Sequence, residues 1–288
     1  MSRRLPWVPT KMKYTIATHS DVGMRRKENQ DASGVLWLRR GCLALVCDGM
    51  GGFQGGEVAS RMTVASILQY FKQNVLPKPG RLRRFLAKSI SWSNRQVWDY
   101  AQSHPPLQRM GTTVVAVLCY KKKAYISHVG DSRVYLMRDD KLIQLTKDHS
   151  MVQKLLDAGE ITEDSVAEHP RSNVISRVVG QYKTVDVESL KAPLQLIPGD
   201  RLLLCSDGLY RMVDEIDILY QLRDDNSPDT ICQNLVDMAN RAGGRDNITA
   251  QLVECREVSS GVWWLQAFFV VALAVVLALI GWLTYTPT

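Results

Sequence analysis

Four apolar runs along this chain each meet an aspartate beside a glycine. LALVCDGMGG (43–52) carries Asp48, HVGDSR (128–133) carries Asp131, RLLLCSDGL (201–209) carries Asp207, and GGRDNIT (243–249) places Asp246 just ahead of the last apolar run. Runs of this length suit buried strands better than helices, and a neighbouring glycine relaxes the backbone where the chain turns. Any one such aspartate is an ordinary turn residue. Four in matching settings constrain the fold more tightly. If the strand ends meet, like charges gather, and they must be offset by cations.

The rest of the pattern is mixed. Strands are expected at 13–19, 31–38, 41–47, 112–119, 123–129, 133–138, 142–145, 173–178, 183–189, 201–205 and 247–254. Helical spacing covers 57–72, 82–101, 151–158, 214–223 and 229–241, and the dozen residues 159–170 read as a surface excursion. No repeat stands out. Many antiparallel-looking strands with helices grouped in pairs predict an α+β fold, with sheets in the middle and helices outside. At 288 residues, 45% of them apolar and 23% charged, the chain suits one folded domain with little disorder.

The formal charge of +7 is spread over short clusters such as Arg25-Arg26-Lys27 and Lys121-Lys122-Lys123, without interleaved aromatics. That pattern argues against nucleic acid as a partner and favours an anionic membrane face or a phosphorylated partner. None of the six cysteines forms a CxxC pair, and most lie in strand-like runs, so buried thiols in a reducing compartment are expected. The C-terminus stands apart. Residues 262–283 carry no charge and are long enough to cross about 30 Å of hydrocarbon as a helix. Trp263 and Trp264 at one end, with Trp282 and Tyr285 at the other, suit two membrane interfaces. Arg245 and Arg256 precede the stretch and no basic residue follows it. The expectation is a single-pass transmembrane helix in the inner membrane, with the preceding domain in the cytoplasm.

No HExxH, Cys/His ligand set or GxxxxGK[ST] loop is present, so zinc and P-loop chemistry fit poorly. Carboxylates offer hard oxygen ligands of the kind Mg²⁺ and Mn²⁺ prefer. Two such cations sharing a carboxylate would activate water and hold an anionic substrate for in-line attack. Phosphate-ester hydrolysis uses all of these features.

In order, SDVGMRRKENQD (20–31), CDGMGG (47–52), GTT (111–113), GDSR (130–133), SDG (206–208) and GRDNIT (244–249) resemble the signatures of the PPM/PP2C metal-dependent serine/threonine phosphatases, bacterial branch. The resemblance covers 14–255 and implies a PP2C-like α-β-β-α sandwich at 13–256, with two central antiparallel sheets flanked by helices. It implies two Mn²⁺ or Mg²⁺ ions. Asp48 would bridge them, the Gly49 carbonyl would bind the second, and Asp207 and Asp246 would complete the first. Asp131, with Asp207, would hold a third and weaker ion. Arg26 would grip the substrate phosphate, and Asp31 would act near the second ion through water. The implied reaction is attack of a metal-activated water on phosphoserine or phosphothreonine, the substrates being those of bacterial Ser/Thr kinases and the catalytic domain a monomer. The excursion 159–170 resembles the family's mobile flap.

Three departures matter. Gln30 stands where animal relatives have a glutamate. Met50 stands where they have a histidine, and Phe53 where many bacterial members have one. The general acid is therefore unknown, with His149 and His169 as candidates. The alternative reading is a catalytically weak PP2C-fold module that binds phosphoproteins.

Overall fold

A strand buried on both faces explains the unbroken apolar runs. In the computed structural model, which describes residues 11–51, 55–166 and 169–258, the chain opens with β1 (Lys11–Asp21), β2 (Ala32–Leu38), β3 (Gly41–Cys47) and the two-residue β4 (Gly49–Met50). Helices α1 (Gly55–Gln73) and α2 (Leu82–Ser103) follow. Next come β5 (Gly111–Thr112), β6 (Val114–Tyr120), β7 (Lys123–Val129), β8 (Arg133–Arg138), β9 (Lys141–Gln144) and α3 (Met151–Asp157). The last third holds β10 (Glu188–Ser189), β11 (Leu194–Gln195), β12 (Arg201–Cys205), α4 (Asp207–Tyr210), α5 (Glu215–Arg223), α6 (Pro228–Arg241) and β13 (Ile248–Val258).

These strands form two large antiparallel sheets, and β4 pairs with β5 in a small ladder of its own. One large sheet runs β1-β13-β12-β8-β9 and the other β10-β7-β6-β3-β2, with β11 also on β7. Alternation along each strand then sorts side chains into three apolar layers. On β3, Cys42, Ala44 and Val46 face the other sheet, where they meet Leu202, Leu204 and Val253. Leu43, Leu45 and Cys47 face outward onto Ile67, Leu86 and Ile90 of α1 and α2. On β12, Leu203 and Cys205 face Ile218, Leu222 and Leu235 of α5 and α6. The order helices, sheet, sheet, helices is the expected α+β sandwich. All six cysteines are buried and unpaired, as their apolar settings predict.

Two expected strands are not formed as such. Residues 173–178 make a single bridge, Ser150 to Ile175, and 183–189 contribute only β10. Instead of joining a sheet, this segment runs across strand ends, where Val179 exchanges both backbone hydrogen bonds with Thr112. Its short apolar groups are interrupted by Arg177 and Gly180, which leaves no continuous face for a sheet to bury.

The membrane expectation is corrected. Among the described residues no helix is long and apolar enough to cross a membrane, and the stretch 262–283 lies outside them. The longest described helix, α2, buries Leu82, Leu86, Ile90 and Val97 but also carries Arg83, Arg84, Lys88, Arg95 and Asp99, which makes it amphipathic rather than membrane-spanning. The architecture of the described residues is thus the α+β sandwich, with no transmembrane helix among them. A membrane partner, inner-membrane location and single-pass topology are not supported.

Leu204 is fully buried between the sheets. Leu204→Ala should cost about 2–5 kcal/mol, read as a lower urea midpoint at unchanged slope. A loss below about 0.5 kcal/mol would contradict this packing.

Candidate metal centre

The strand registers bring the five aspartates to one end of the sandwich. Val46 pairs with Val115, and Val114 with Val129, so β3 and β7 end where β6 begins. In the other sheet Cys205, the last residue of β12, pairs with both Arg133 and Ala250, near the starts of β8 and β13. Asp48 and Asp207 therefore follow strands, and Asp246 precedes one. Asp131 lies in the link that carries the chain from β7 of one sheet to β8 of the other. Asp31 precedes β2, whose Ala32 pairs with Cys47. Arg26 rides the loop from β1 to β2, which crosses between the sheets at the same end.

Hydroxyl groups fix the turns. The Asp48 carbonyl accepts from Thr112 Oγ1 and the Thr113 amide, both at 2.8 Å, and its own amide donates to Thr113 Oγ1 at 2.9 Å. Thr113 Oγ1 is also 2.6 Å from Ser132 Oγ, tying the Asp48 turn to the Asp131 link. Asp31 Oδ2 accepts from Ser206 at 2.7 Å and Thr249 at 2.6 Å, which joins it to the Asp207 and Asp246 turns. The glycines answer to space. A Cβ on Gly49 would lie 2.2 Å from the Gly56 carbonyl oxygen, and one on Gly208 would lie 2.1 Å from that of Asn247. Only glycine lets these turns approach so closely.

The electrostatics are those of crowded like charges. Burial, then the charge of Asp31, pushes Asp48 well above the usual carboxylate range, with Asp207, Asp131 and Asp246 adding to the rise. Burial raises Asp31 to about 7 against the lowering effect of its two hydroxyl donors. Burial and Asp207 raise Asp131 to about 7, although Arg211 opposes them. Asp207 is also raised, by burial and Asp246. Oδ1 of Asp31 and Oδ1 of Asp131 are buried with no hydrogen-bond partner. Bare buried oxygens among mutually repelling carboxylates are what a hard divalent cation would satisfy.

Two guanidinium groups reach this cluster. Arg26, half-exposed, pairs with Asp246 Oδ2 at 2.7 Å. Arg211 pairs with Asp207 Oδ2 at 2.9 Å and approaches Asp131 Oδ2 at 3.5 Å. Arg211 was not foreseen, although its i,i+4 spacing from Asp207 was a visible signal. The supporting Thr113, Ser132, Ser206 and Thr249 lie within or beside the quoted motifs, but their pairings become visible only when the two sheets meet.

A second group gathers donor atoms within 4.8 Å of one another: His128, His149 and Glu188. Its hydrogen bonds assign the tautomers. His128 Nε2 donates to the Lys147 carbonyl at 2.8 Å. His149 Nδ1 accepts from the Gly130 amide at 3.1 Å, so its proton sits on Nε2, 3.1 Å from Glu188 Oε2. A cation bound to that nitrogen would have to displace the proton. Burial and the neighbouring His128 lower His149 to about 4, which leaves it neutral and a poor general acid near pH 7. His169 is engaged locally, its Nδ1 accepting from the Arg171 amide. Position 53 lies outside the described residues. Among the described residues, no histidine hydrogen-bonds to any of the five aspartates.

The family model described as "Protein phosphatase 2C" matches residues 19–254. The chain belongs to the protein phosphatase 2C family. It is similar to "Serine/threonine phosphatase stp" of Listeria welshimeri, 38% identical over 244 residues that span 84% of this chain and 96% of that protein. It also resembles "Protein phosphatase PhpP" of Streptococcus pneumoniae, 33% identical over 84% of this chain and 98% of the relative. Among solved structures, the S. agalactiae serine/threonine phosphatase aligns with TM-score 0.79 and 34% identity, over 84% of this chain and 99% of that one. The catalytic domain of the phosphatase PstP, in complex with two manganese ions, aligns with TM-score 0.73 and 32% identity, over 86% and 100%. This likeness and the bare buried oxygens of Asp31 and Asp131 support one or two divalent-cation sites in this protein phosphatase 2C chain.

A raised carboxyl pKa means that the folded chain holds protons which the unfolded chain has released. Stability contributed by Asp31 and Asp131 is therefore greatest below about pH 4 and is lost as pH rises towards about 7. In EDTA, Tm should fall between about pH 5 and pH 8. Mn²⁺ added at the upper pH should restore it by binding the folded state. A Tm that rises over this range in EDTA would contradict the crowding.

Proposed function

We propose that this protein phosphatase 2C chain hydrolyses phosphoserine and phosphothreonine in proteins, in a reaction that depends on divalent cations. The observation that carries the reading is the convergence of five carboxylates from both sheets, with two bare buried oxygens, beside two arginines. Its relatives carry the names of serine/threonine phosphatases.

Asp48, the Gly49 carbonyl, Asp207 and Asp246 are the groups that would hold two divalent cations. Asp131, with Asp207, is assigned to a third and weaker ion. When bound, such ions supply Lewis-acid activation of water and neutralise phosphoryl charge. The chain's own groups then have separate tasks. Arg26 binds the phosphoryl oxygens, for which its planar fork is suited. Its ion pair with Asp246, at 2.7 Å, holds the guanidinium beside the carboxylates, where a cation held by Asp246 would compete for the same oxygen. Asp31, gripped through Oδ2 by Ser206 and Thr249, keeps Oδ1 as the atom available to accept a proton from water. Thr112 and Thr113 hold the Asp48 backbone against recoil. The general acid stays unassigned, because His149 is neutral and committed to Gly130 and Glu188.

The test is Mn²⁺-dependent phosphate release from a phosphothreonine peptide. EDTA should abolish turnover, and Asp207→Asn should lower kcat/KM by at least about a hundredfold. Arg26→Ala should act mainly on KM, raising it by roughly tenfold or more. A folded, Mn²⁺-loaded chain that binds phosphopeptides without turnover would replace this reading with that of a binding module.

A further inference from the structure

Arg211 stands between the carboxylates and a distant stretch of chain. It closes the short helix α4, its amide donating to the Asp207 carbonyl at 3.0 Å, so its backbone is fixed while its side chain reaches out. On one side lie Asp207 Oδ2, 2.9 Å from Nε, and Asp131 Oδ2, 3.5 Å from NH2. On the other, NH2 donates to the Ser172 carbonyl at 3.0 Å and NH1 to Asn173 Oδ1. Ser172 and Asn173 belong to the limb that returns from α3 towards Val179.

The two sides are held differently. Nε makes no hydrogen bond despite its closeness to Asp207, and Oδ1 of Asp131 has no partner at all. Asp207 is thus held by charge at an imperfect angle, and Asp131 by one long hydrogen bond from NH2 to its Oδ2 at 3.5 Å. The limb is held by directed hydrogen bonds. Tyr210 steadies the arrangement: its hydroxyl donates to the Asp131 carbonyl at 3.1 Å, and Arg133 stacks on its ring at 3.8 Å. Arg133 is committed elsewhere, to Asp148 at 2.9 Å. Arg211 is therefore the cation that can yield its place beside Asp131 and Asp207.

We propose that Arg211 is a positioning residue that competes with a divalent cation for Asp131 and Asp207 and that tethers the Ser172–Asn173 limb while it holds them. This rests on the assignment of those two aspartates as cation ligands. The guanidinium cannot lose its charge. A divalent ion between the same carboxylates therefore repels it, and the hydrogen bonds to the limb move or break as it leaves. Occupancy by the weaker ion and restraint of the limb become mutually exclusive.

The experiment uses the full chain, with Arg211→Met, which keeps the stem and removes the charge, and Arg211→Lys, which keeps the charge and loses the fork. Hydrogen exchange at the amides of 172–174 is measured in EDTA and with saturating Mn²⁺, and Mn²⁺ binding is followed by calorimetry. In EDTA, Arg211→Met should exchange at least about tenfold faster at these amides, and saturating Mn²⁺ should bring wild type to that rate. Its weakest Mn²⁺ should bind about tenfold more tightly than in wild type. Arg211→Lys should restore the weak binding without restoring the protection. Equal exchange of wild type and Arg211→Met in EDTA would overturn the tether. The Asp131→Asn variant separates the remaining failures. If it loses an ion while Arg211→Met binds Mn²⁺ like wild type, competition is overturned and the ligand assignment stands. If Asp131→Asn binds Mn²⁺ unchanged, the assignment itself fails and the proposal falls with it.

Discussion

The contact between the inner faces of the two sheets sets everything else in place. Cys42, Ala44 and Val46 meet Leu202, Leu204 and Val253 in a layer from which water is excluded. Burial there, at roughly 25 cal/mol per Å² of apolar surface, holds the sheets together. Because helices cover both outer faces, polar chemistry is pushed to the strand ends. One end gathers the turns after β3 and β12, the turn before β13 and the link from β7 to β8. The aspartates sit there because the packed sheets bring those ends together.

That placement has an electrostatic consequence. Burial and mutual repulsion raise Asp31, Asp48, Asp131 and Asp207 together. The hydroxyls of Thr113, Ser132, Ser206 and Thr249 keep the turns from moving apart to relieve it. Arginines supply part of the compensation, Arg26 at Asp246 and Arg211 at Asp207. Such a cluster destabilises the chain without cations and favours binding them. Site and stability are therefore opposed, as is common where charge is concentrated for function.

The two histidines illustrate the limits of residue type as a guide. His149 is a plausible general acid by type, and its hydrogen bonds assign it another task. Its Nδ1 takes the Gly130 amide, and its backbone amide donates to the Gly130 carbonyl at 3.0 Å, so it braces the turn that carries Asp131. His128 stacks on it with ring centres 4.6 Å apart.

Local pattern determined much of this protein. Period-two and unbroken apolar runs marked β3, β6, β7, β8 and β12, since strand burial leaves a direct trace in composition. Helical spacing marked α1, α2, α5 and α6 for the same reason. Asp48, Asp131, Asp207 and Asp246 stood out by their strand-end settings, and Asp31 and Arg26 through the family motifs; the packed sheets bring these groups to one end. Other features were not legible. Residues 173–178 looked like a strand, but no sheet edge was offered to them, and strand pairing is decided by partners far along the chain. The apolar stretch 262–283 suggested a membrane helix, and no described helix provides one. Arg211, Glu188 and the pairing of Thr113 with Ser132 gain their meaning from neighbours tens of residues away. Sequence fixes which groups a segment carries and which face it buries. Only the packing of one sheet on the other decides which strand ends meet, and hence which charges must share a site.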